Sequence, residues 1–366
     1  MKKEYFAAMN SYRGFRSYYR DSFSAERRYI IKGGPGCGKS TLMRRLADEA
    51  ERRGLETELY YCSSDTHSLD GIVIKELGVA VFDGTAPHEE AASAPGWRDN
   101  LIDLGAFWNA DMLRARQDDI IAASEAKAYS YRQAYAQLGM AGDASTLRRR
   151  MLTDCINAGA LGKCAERIAE RIARGDISRE IPSSVQAVVG AFGMDGYVYL
   201  PTLEADTPAI IGIRDIHGAA TLLLGQVCCQ LGRRGIPFIA GIDAPSGDIC
   251  AVRAPGTTVT LRADIAGASG RRMIGCRPLL NTDRESEQAL KRLDSLILHL
   301  RSSAAQHLGE VKKEHFILEE IYGEAMDYSK VDSCCNELIE ELFPPKKKTG
   351  RKKASAKQSK PKSAGR

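Results

Sequence analysis

RRYIIKGGPGCGKSTLMRRLADEAERRG, residues 27–54, changes character twice along its length. It opens on Tyr29-Ile30-Ile31, an apolar run with the length of a short buried strand. It closes on Thr41-Leu42-Met43-Arg44-Arg45-Leu46-Ala47, whose apolar residues recur at helical spacing. Between them Gly33-Gly34-Pro35-Gly36-Cys37-Gly38-Lys39-Ser40 satisfies G-x-x-x-x-G-K-[ST], the pattern of a phosphate-binding loop. Glycines let the backbone wrap closely round phosphate oxygens, because positive φ costs them little. The freed N–H groups and the helix start then point at the anion. Lys39 reaches the β- and γ-phosphates as a point charge, and the Ser40 hydroxyl completes the shell of a Mg²⁺ ion. A glycine-rich turn with a chance lysine is the competing explanation, and the flanking strand and helix argue against it. The expected nucleotide-binding residues are therefore Gly33, Gly34, Pro35, Gly36, Cys37, Gly38, Lys39, Ser40 and Thr41.

Such a loop needs a second metal anchor, an acid at the end of a neighbouring strand. ELGVAVFDGTAPHEE, residues 76–90, offers one: Val79-Ala80-Val81-Phe82 has the length of a buried parallel strand, and Asp83 ends it. Asp83 is the expected partner of Ser40 at the metal and of Lys39 in catalysis. The plainer alternative is an aspartate that merely starts a turn. Residues 56–62 read as another strand, whose end Ser63-Ser64-Asp65 falls on the same rim, where ligands of parallel sheets sit. Asp65 touches the attacking water, an acceptor substrate or the metal, or it caps the next turn; the residues leave these open. A glutamate of His88-Glu89-Glu90 can orient the water, although an exposed polar loop is the plainer reading.

Shifting the numbering by 180 lays IIKGGPGCGKSTLM over IIGIRDIHGAATLL, residues 210–223. Ile30-Ile31 match Ile210-Ile211, Gly38 matches Gly218, and Thr41-Leu42 match Thr221-Leu222. Ala219 and Ala220 stand where Lys39 and Ser40 stand, and Ile213, Arg214 and Ile216 replace three loop glycines. The second loop has lost its charge, its metal hydroxyl and its flexible backbone, so no nucleotide is expected there. It serves as a structural partner or contributes Arg214 or Arg233 across the interface. Each half then continues into helical patterning. In the first, Leu113, Ile120, Ile121, Ala128, Tyr131, Tyr135 and Leu138 form a stripe that Gly139 to Gly142 should break. In the second, Asn281-Thr282-Asp283 signals a helix start ahead of Leu290, Leu293, Leu296, Ile297 and Leu300. The expected fold is α/β: an internally duplicated P-loop NTPase with a parallel sheet, each half carrying its own helical hairpin. The expected units are 1–183, with a helical insertion at about 109–175, then 184–343, then a tail.

That tail, 344–366, reads PPKKKTGRKKASAKQSKPKSAGR; it carries +10 and no acid, which leaves −5 on the rest of a chain of net charge +5. Without large apolar residues it should be disordered, either solubilising or an arm for nucleic acid or another polyanion. No apolar run approaches the eighteen or so residues of a membrane span. The N-terminus lacks a signal-peptide apolar region. A cytoplasmic location is expected, and the ten cysteines, which show no CxxC spacing, read as reduced and mostly buried.

GFRSYY, IIKGGPGCGKSTLM, YYCSSDTHSLDG, VAVFDGTAPH and NLIDLGAFW together resemble a bacterial family of tandem P-loop ATPases, closely from about Gly14 to Trp108. The resemblance implies ATP as ligand and Mg²⁺ as cofactor, with Gly33 to Thr41 as the nucleotide loop and Asp83 as the acid. The chain departs from the pattern in its second loop and its basic tail. The expected activity is ATP hydrolysis at one site, by in-line attack of water, with an arginine among Arg148-Arg149-Arg150 or Arg214 as a candidate assistant. The alternatives are a small-molecule or nucleotide kinase, whose acceptor would sit at Ser63-Ser64-Asp65, and a nucleotide-gated nucleic-acid-binding module that uses the tail.

Overall fold

The computed structural model describes residues 2–87, 90–175, 185–262 and 272–344. The basic tail beyond Pro344 and His88-Glu89 lie outside the described residues. The first half contributes strands β1 (Lys2–Phe6), β2 (Ala8–Ser11), β3 (Gly14–Ser17), β4 (Arg27–Lys32), β5 (Thr57–Tyr61), β6 (Leu69–Ile74), β7 (Val79–Asp83) and β8 (Asp99–Asp103). Its helices are α1 (Tyr19–Ser22), α2 (Lys39–Arg52), α3 (Ala110–Ala115), α4 (Gln117–Cys155) and α5 (Ala158–Ala173). The second half contributes β9 (Val185–Val188), β10 (Gly190–Gly193), β11 (Gly196–Tyr199), β12 (Ala209–Arg214), β13 (Ile239–Ile242), β14 (Ile249–Ala254), β15 (Thr257–Thr260) and β16 (Arg272–Gly275). Its helices are α6 (Ala219–Arg233), α7 (Arg284–Glu324) and α8 (Tyr328–Leu342).

Twelve strands form one sheet in the order β16-β12-β15-β14-β13-β9-β1-β5-β6-β7-β4-β8. Outward from the β1–β9 seam, each half places its first strand, a three-strand meander, a loop-bearing strand and an edge strand. The seam is antiparallel, with Phe6 opposite Val188. Chain directions therefore reverse there, and the ends of β4 and β12 lie at opposite rims of the sheet. The expectation of a parallel sheet needs correction: β6 and β14 run antiparallel to both neighbours. Their connections, such as residues 75–78 and 255–256, are too short for a parallel crossover, which takes a dozen or more residues.

Strand alternation decides which residues face which layer. Tyr29, Ile31, Val79 and Val81 pack on α2, whereas Ile30, Ala80 and Phe82 turn to the opposite face against Tyr19 and Phe23. The Phe23 ring stacks on Phe82 with centroids 4.6 Å apart. At the outer edge, Arg28 grips Asp99 through two hydrogen bonds of 2.7 and 2.9 Å. Hydrogen bonding from Arg28 holds the Asp99 carboxyl well below the usual carboxylate range and fixes β8 to β4.

The helices depart from the expected plan. α4 has 39 residues and α7 has 41, so each is about 60 Å long. Six strands at about 4.8 Å spacing are only about 24 Å wide, so neither helix fits over its own half. The two run antiparallel across the seam, with Lys127 against His315 near one end and Arg148 against Asp294 near the other. Each therefore delivers its short follower to the opposite half. α8 packs on α2, and α5 packs on α6, so the hairpins are exchanged rather than kept. Matching bridges, Trp108 to Met326 and Ile156 to Leu280, pin the two corners. The expected break at Gly139–Gly142 is also absent, and α4 runs through it. A Cβ on Gly142 would lie 2.8 Å from the Tyr12 Cβ, so the glycine admits a close packing that outweighs its poor helix propensity. Asp283 caps α7 by accepting from Ser286 N at 2.7 Å. All ten cysteines are free. Among the described residues no helix is long and apolar enough to cross a membrane.

The exchange predicts damage on the far side. Leu338→Ala in α8 and Leu161→Ala in α5 should each cost about 2–5 kcal/mol in urea unfolding. Hydrogen exchange should accelerate in α2 for Leu338→Ala and in α6 for Leu161→Ala. Loss of protection confined to the half that carries each substitution would contradict this packing.

Candidate functional site

The segment Gly33–Gly38 joins the end of β4 to the start of α2. Gly38 is the N-cap of α2 at φ 89°, and Gly36 lies at φ 69°, both in the left-handed region that glycine favours. This conformation turns the first amides of α2 toward the space above the loop. Lys39 is the first helical residue. Its Nζ donates to Gly33 O at 2.8 Å and Gly34 O at 2.6 Å, and lies 3.5 Å from Asp83 Oδ2. Lys39 and Asp83 side chains are only 14% and 15% exposed, so their attraction is little screened. Asp83 closes β7, directly beside β4 with Ile31 as its pair. Its other oxygen accepts from Thr85 N at 2.8 Å, while Thr85 Oγ1 donates to Gly33 O at 2.9 Å. Asp83 thus starts a turn and faces Lys39 at once. Ser40 Oγ accepts from Leu69 N at 3.0 Å, and Thr41 is exposed on α2. Pro35 is half-buried, and Cys37 is buried, which pushes its thiol up.

Of the other rim residues, Asp65 and Ser64 are committed elsewhere. Asp65 closes its own turn, accepting from His67 N at 3.2 Å and Ser68 Oγ at 2.5 Å. Ser64 Oγ takes the Tyr131 hydroxyl at 3.1 Å, and Ser63 is buried. The Glu90 carbonyl accepts from Lys32 Nζ at 3.1 Å.

Sequence reasoning missed what covers the loop. The α7–α8 corner, from the other half of the chain, sits on it. Tyr328 Oη donates to Gly36 O at 2.7 Å. A Cβ at Gly36 would come within 2.4 Å of the Glu319 carbonyl oxygen, so only glycine fits there. Gly34 faces the Trp108 ring, which packs on Tyr322 with centroids 5.2 Å apart. Nothing local in the sequence signals contacts that span 292 residues.

The second loop has the same frame with different contents. Gly218 is the N-cap of α6 at φ 87°, close to the value at Gly38. The space above it is filled from within. Asp215 accepts from Gly218 N at 3.0 Å and from Ala220 N at 2.8 Å. Its carboxylate occupies the amides that a phosphate would use. Buried His217 meets Asp294 through Nδ1 at 2.5 Å, and Arg148 reaches the same carboxylate at 2.8 Å while packing on Gly218. Arg149 pairs with Asp248, and Arg214 and Arg233 are exposed. Arg148, Arg149 and Arg214 thus lie at the rim opposite Lys39, whereas Arg233 ends α6, at the far end of that helix from Gly218.

The family described as Nephrocystin 3, N-terminal, matches residues 13–73, about a sixth of the chain, and is a domain found in NTPase-like proteins. The match spans β3, α1, β4, the loop, α2, β5 and all but the last residue of β6, and leaves β2 outside. No curated protein matches the chain, and no solved structure does.

Proposed function

We propose that the chain is a P-loop NTPase that binds and hydrolyses ATP at Gly33–Thr41, in the cytoplasm, and that its halves are an internal duplication with one working loop. The observation that carries this reading is the assembly of Gly36 and Gly38 at positive φ, Lys39 at the helix start and Asp83 3.5 Å from its ammonium. The repeated strand order supports the duplication. ATP as the base-bearing ligand rests on the family resemblance.

Ser40 and Asp83 offer a hydroxyl and a carboxylate, hard oxygen donors of the kind Mg²⁺ takes. Ser40 and Asp83 would hold such an ion, which would supply positive charge against the phosphates. The loop amides and the α2 N-terminus orient the phosphates. Lys39 exchanges its bonds to Gly33 O and Gly34 O for phosphate oxygens and stabilises the charge that builds up during attack by water. Trp108, Tyr322 and Tyr328 hold the outer side of the loop in shape. A kinase reading gains no support from the rim, where Ser64 and Asp65 are already hydrogen-bonded. Binding of nucleic acid through 344–366 remains a separate proposal on the tail's charge.

Lys39→Ala should abolish ATP hydrolysis and weaken nucleotide binding, and Asp83→Asn should lower turnover by about 100-fold or more while affinity falls less. Steady-state turnover and equilibrium binding separate the two, and normal turnover in Lys39→Ala would remove the assignment.

Calorimetric titration with a non-hydrolysable ATP analogue should give one site per chain. Asp215→Ala should cost about 1 kcal/mol of stability, as the loss of a helix cap does, without adding a site. A tight site that survives Lys39→Ala would mean that the second loop holds phosphate after all.

A further inference from the structure

α4 is tied to the loop rim at two successive turns. Tyr131 Oη donates to Ser64 Oγ at 3.1 Å, and Tyr135 Oη donates to Asn10 Oδ1 at 2.7 Å. Lys127 stands four residues before Tyr131, on the same helical face. Its Nζ donates to Nδ1 of His315 on α7 at 3.1 Å. An ammonium only donates, so Nδ1 accepts and the ring hydrogen sits on Nε2, 3.5 Å from Glu319 Oε1. Glu319 is also the residue whose carbonyl covers Gly36. The chain Lys127–His315–Glu319 therefore spans from α4 to the loop.

Lys127 is half-buried, yet among the described residues no carboxylate lies within ion-pair distance of its Nζ. Burial pushes its ammonium below the usual lysine range, and the charge of Glu319 offsets this only in part. Lysines are seldom taken out of water without a paired anion. Glu319 is within electrostatic reach of both lysines. Hydrogen bonding from His315 first, and then the charges of Lys39 and Lys127, hold its carboxyl below the usual range against the opposing effect of burial. Two cations thus approach one rim, and the nearby carboxylate is engaged by the imidazole that orients one of them.

We propose that Lys127 is a second cation for the terminal phosphate of the nucleotide held by Lys39, with His315 and Glu319 as positioning residues. The proposal rests on the reading of Gly33–Thr41 as a nucleotide loop. A triphosphate brings to this rim the counter-charge that Lys127 lacks. Lys39 comes from the α2 side and Lys127 from the α4 side, so the added contact falls on the γ-phosphate and distinguishes a triphosphate from a diphosphate. It also assigns to α4 the charge-stabilising role that the remote Arg148 and Arg149 are not placed to fill.

The test measures affinity for a non-hydrolysable ATP analogue and for ADP, both with Mg²⁺, in Lys127→Met, which keeps the apolar stem, and in Lys127→Ala. The analogue should weaken by about 10- to 100-fold and ADP by less than about threefold, the difference expected for one charge-assisted hydrogen bond. His315→Ala should give a smaller loss with the same selectivity, whereas Lys39→Ala should lose both ligands. The unmodified sequence supplies a second readout that does not depend on variants folding. Reductive methylation followed by mass spectrometry should find Lys127 protected by the analogue and not by ADP. Equal weakening of the two ligands, unchanged affinities, or no protection of Lys127 while the analogue is bound through Lys39 would overturn the role of Lys127 and leave the loop assignment standing. A chain that binds neither ligand would overturn the loop assignment and this role with it.

Discussion

Helix length governs this molecule. α4 and α7 are each more than twice as long as a six-strand half-sheet is wide, so each must cross the seam and end over the other half. The exchange of α5 and α8 follows from that, and so does the origin of the residues above each loop. Gly34 and Gly36 are covered by Tyr322 and Glu319, and Gly218 by Arg148. A loop that looks self-contained in sequence is completed by residues almost three hundred positions away.

Much of this was legible in the sequence where local physics decides. The change from the apolar run Tyr29–Ile31 to glycines and then to helical spacing marks the β4–loop–α2 unit. The strand-end acid after Val79–Phe82 lies beside Lys39. The offset of 180 aligns two helix starts whose N-cap glycines have almost the same φ. What was hidden is non-local. The buried run LDGIVI of β6 says strand but not direction, because both faces are covered. The stripes of α4 and α7 say that a face is buried but not against which partner. Gly142 reads as a helix breaker until Tyr12 is seen beside it.

The two loops separate frame from contents. Backbone geometry at Gly38 and Gly218 is nearly the same, yet Lys39 stands at one helix start while Asp215 closes the other. Loss of the lysine and the hydroxyl is visible by alignment. Alignment also sets Asp215 against Pro35, but it does not show that the carboxylate folds back onto Gly218 N and Ala220 N. A degenerate loop of this kind is not vacant: its amides already have a partner, and reinstating a lysine there would leave Asp215 in competition with any incoming anion.

The antiparallel pair α4–α7 also has a mechanical meaning. The loops stand at opposite rims, and each helix touches the surroundings of both: α4 through Lys127 and Arg148, α7 through Asp294 and Glu319. A rod about 60 Å long that tilts by about one degree moves its far end by about 1 Å. Close-packed contacts respond to displacements of that size. The pair therefore links the surroundings of Gly36 to His217 and Asp294 through one continuous run of packed helix.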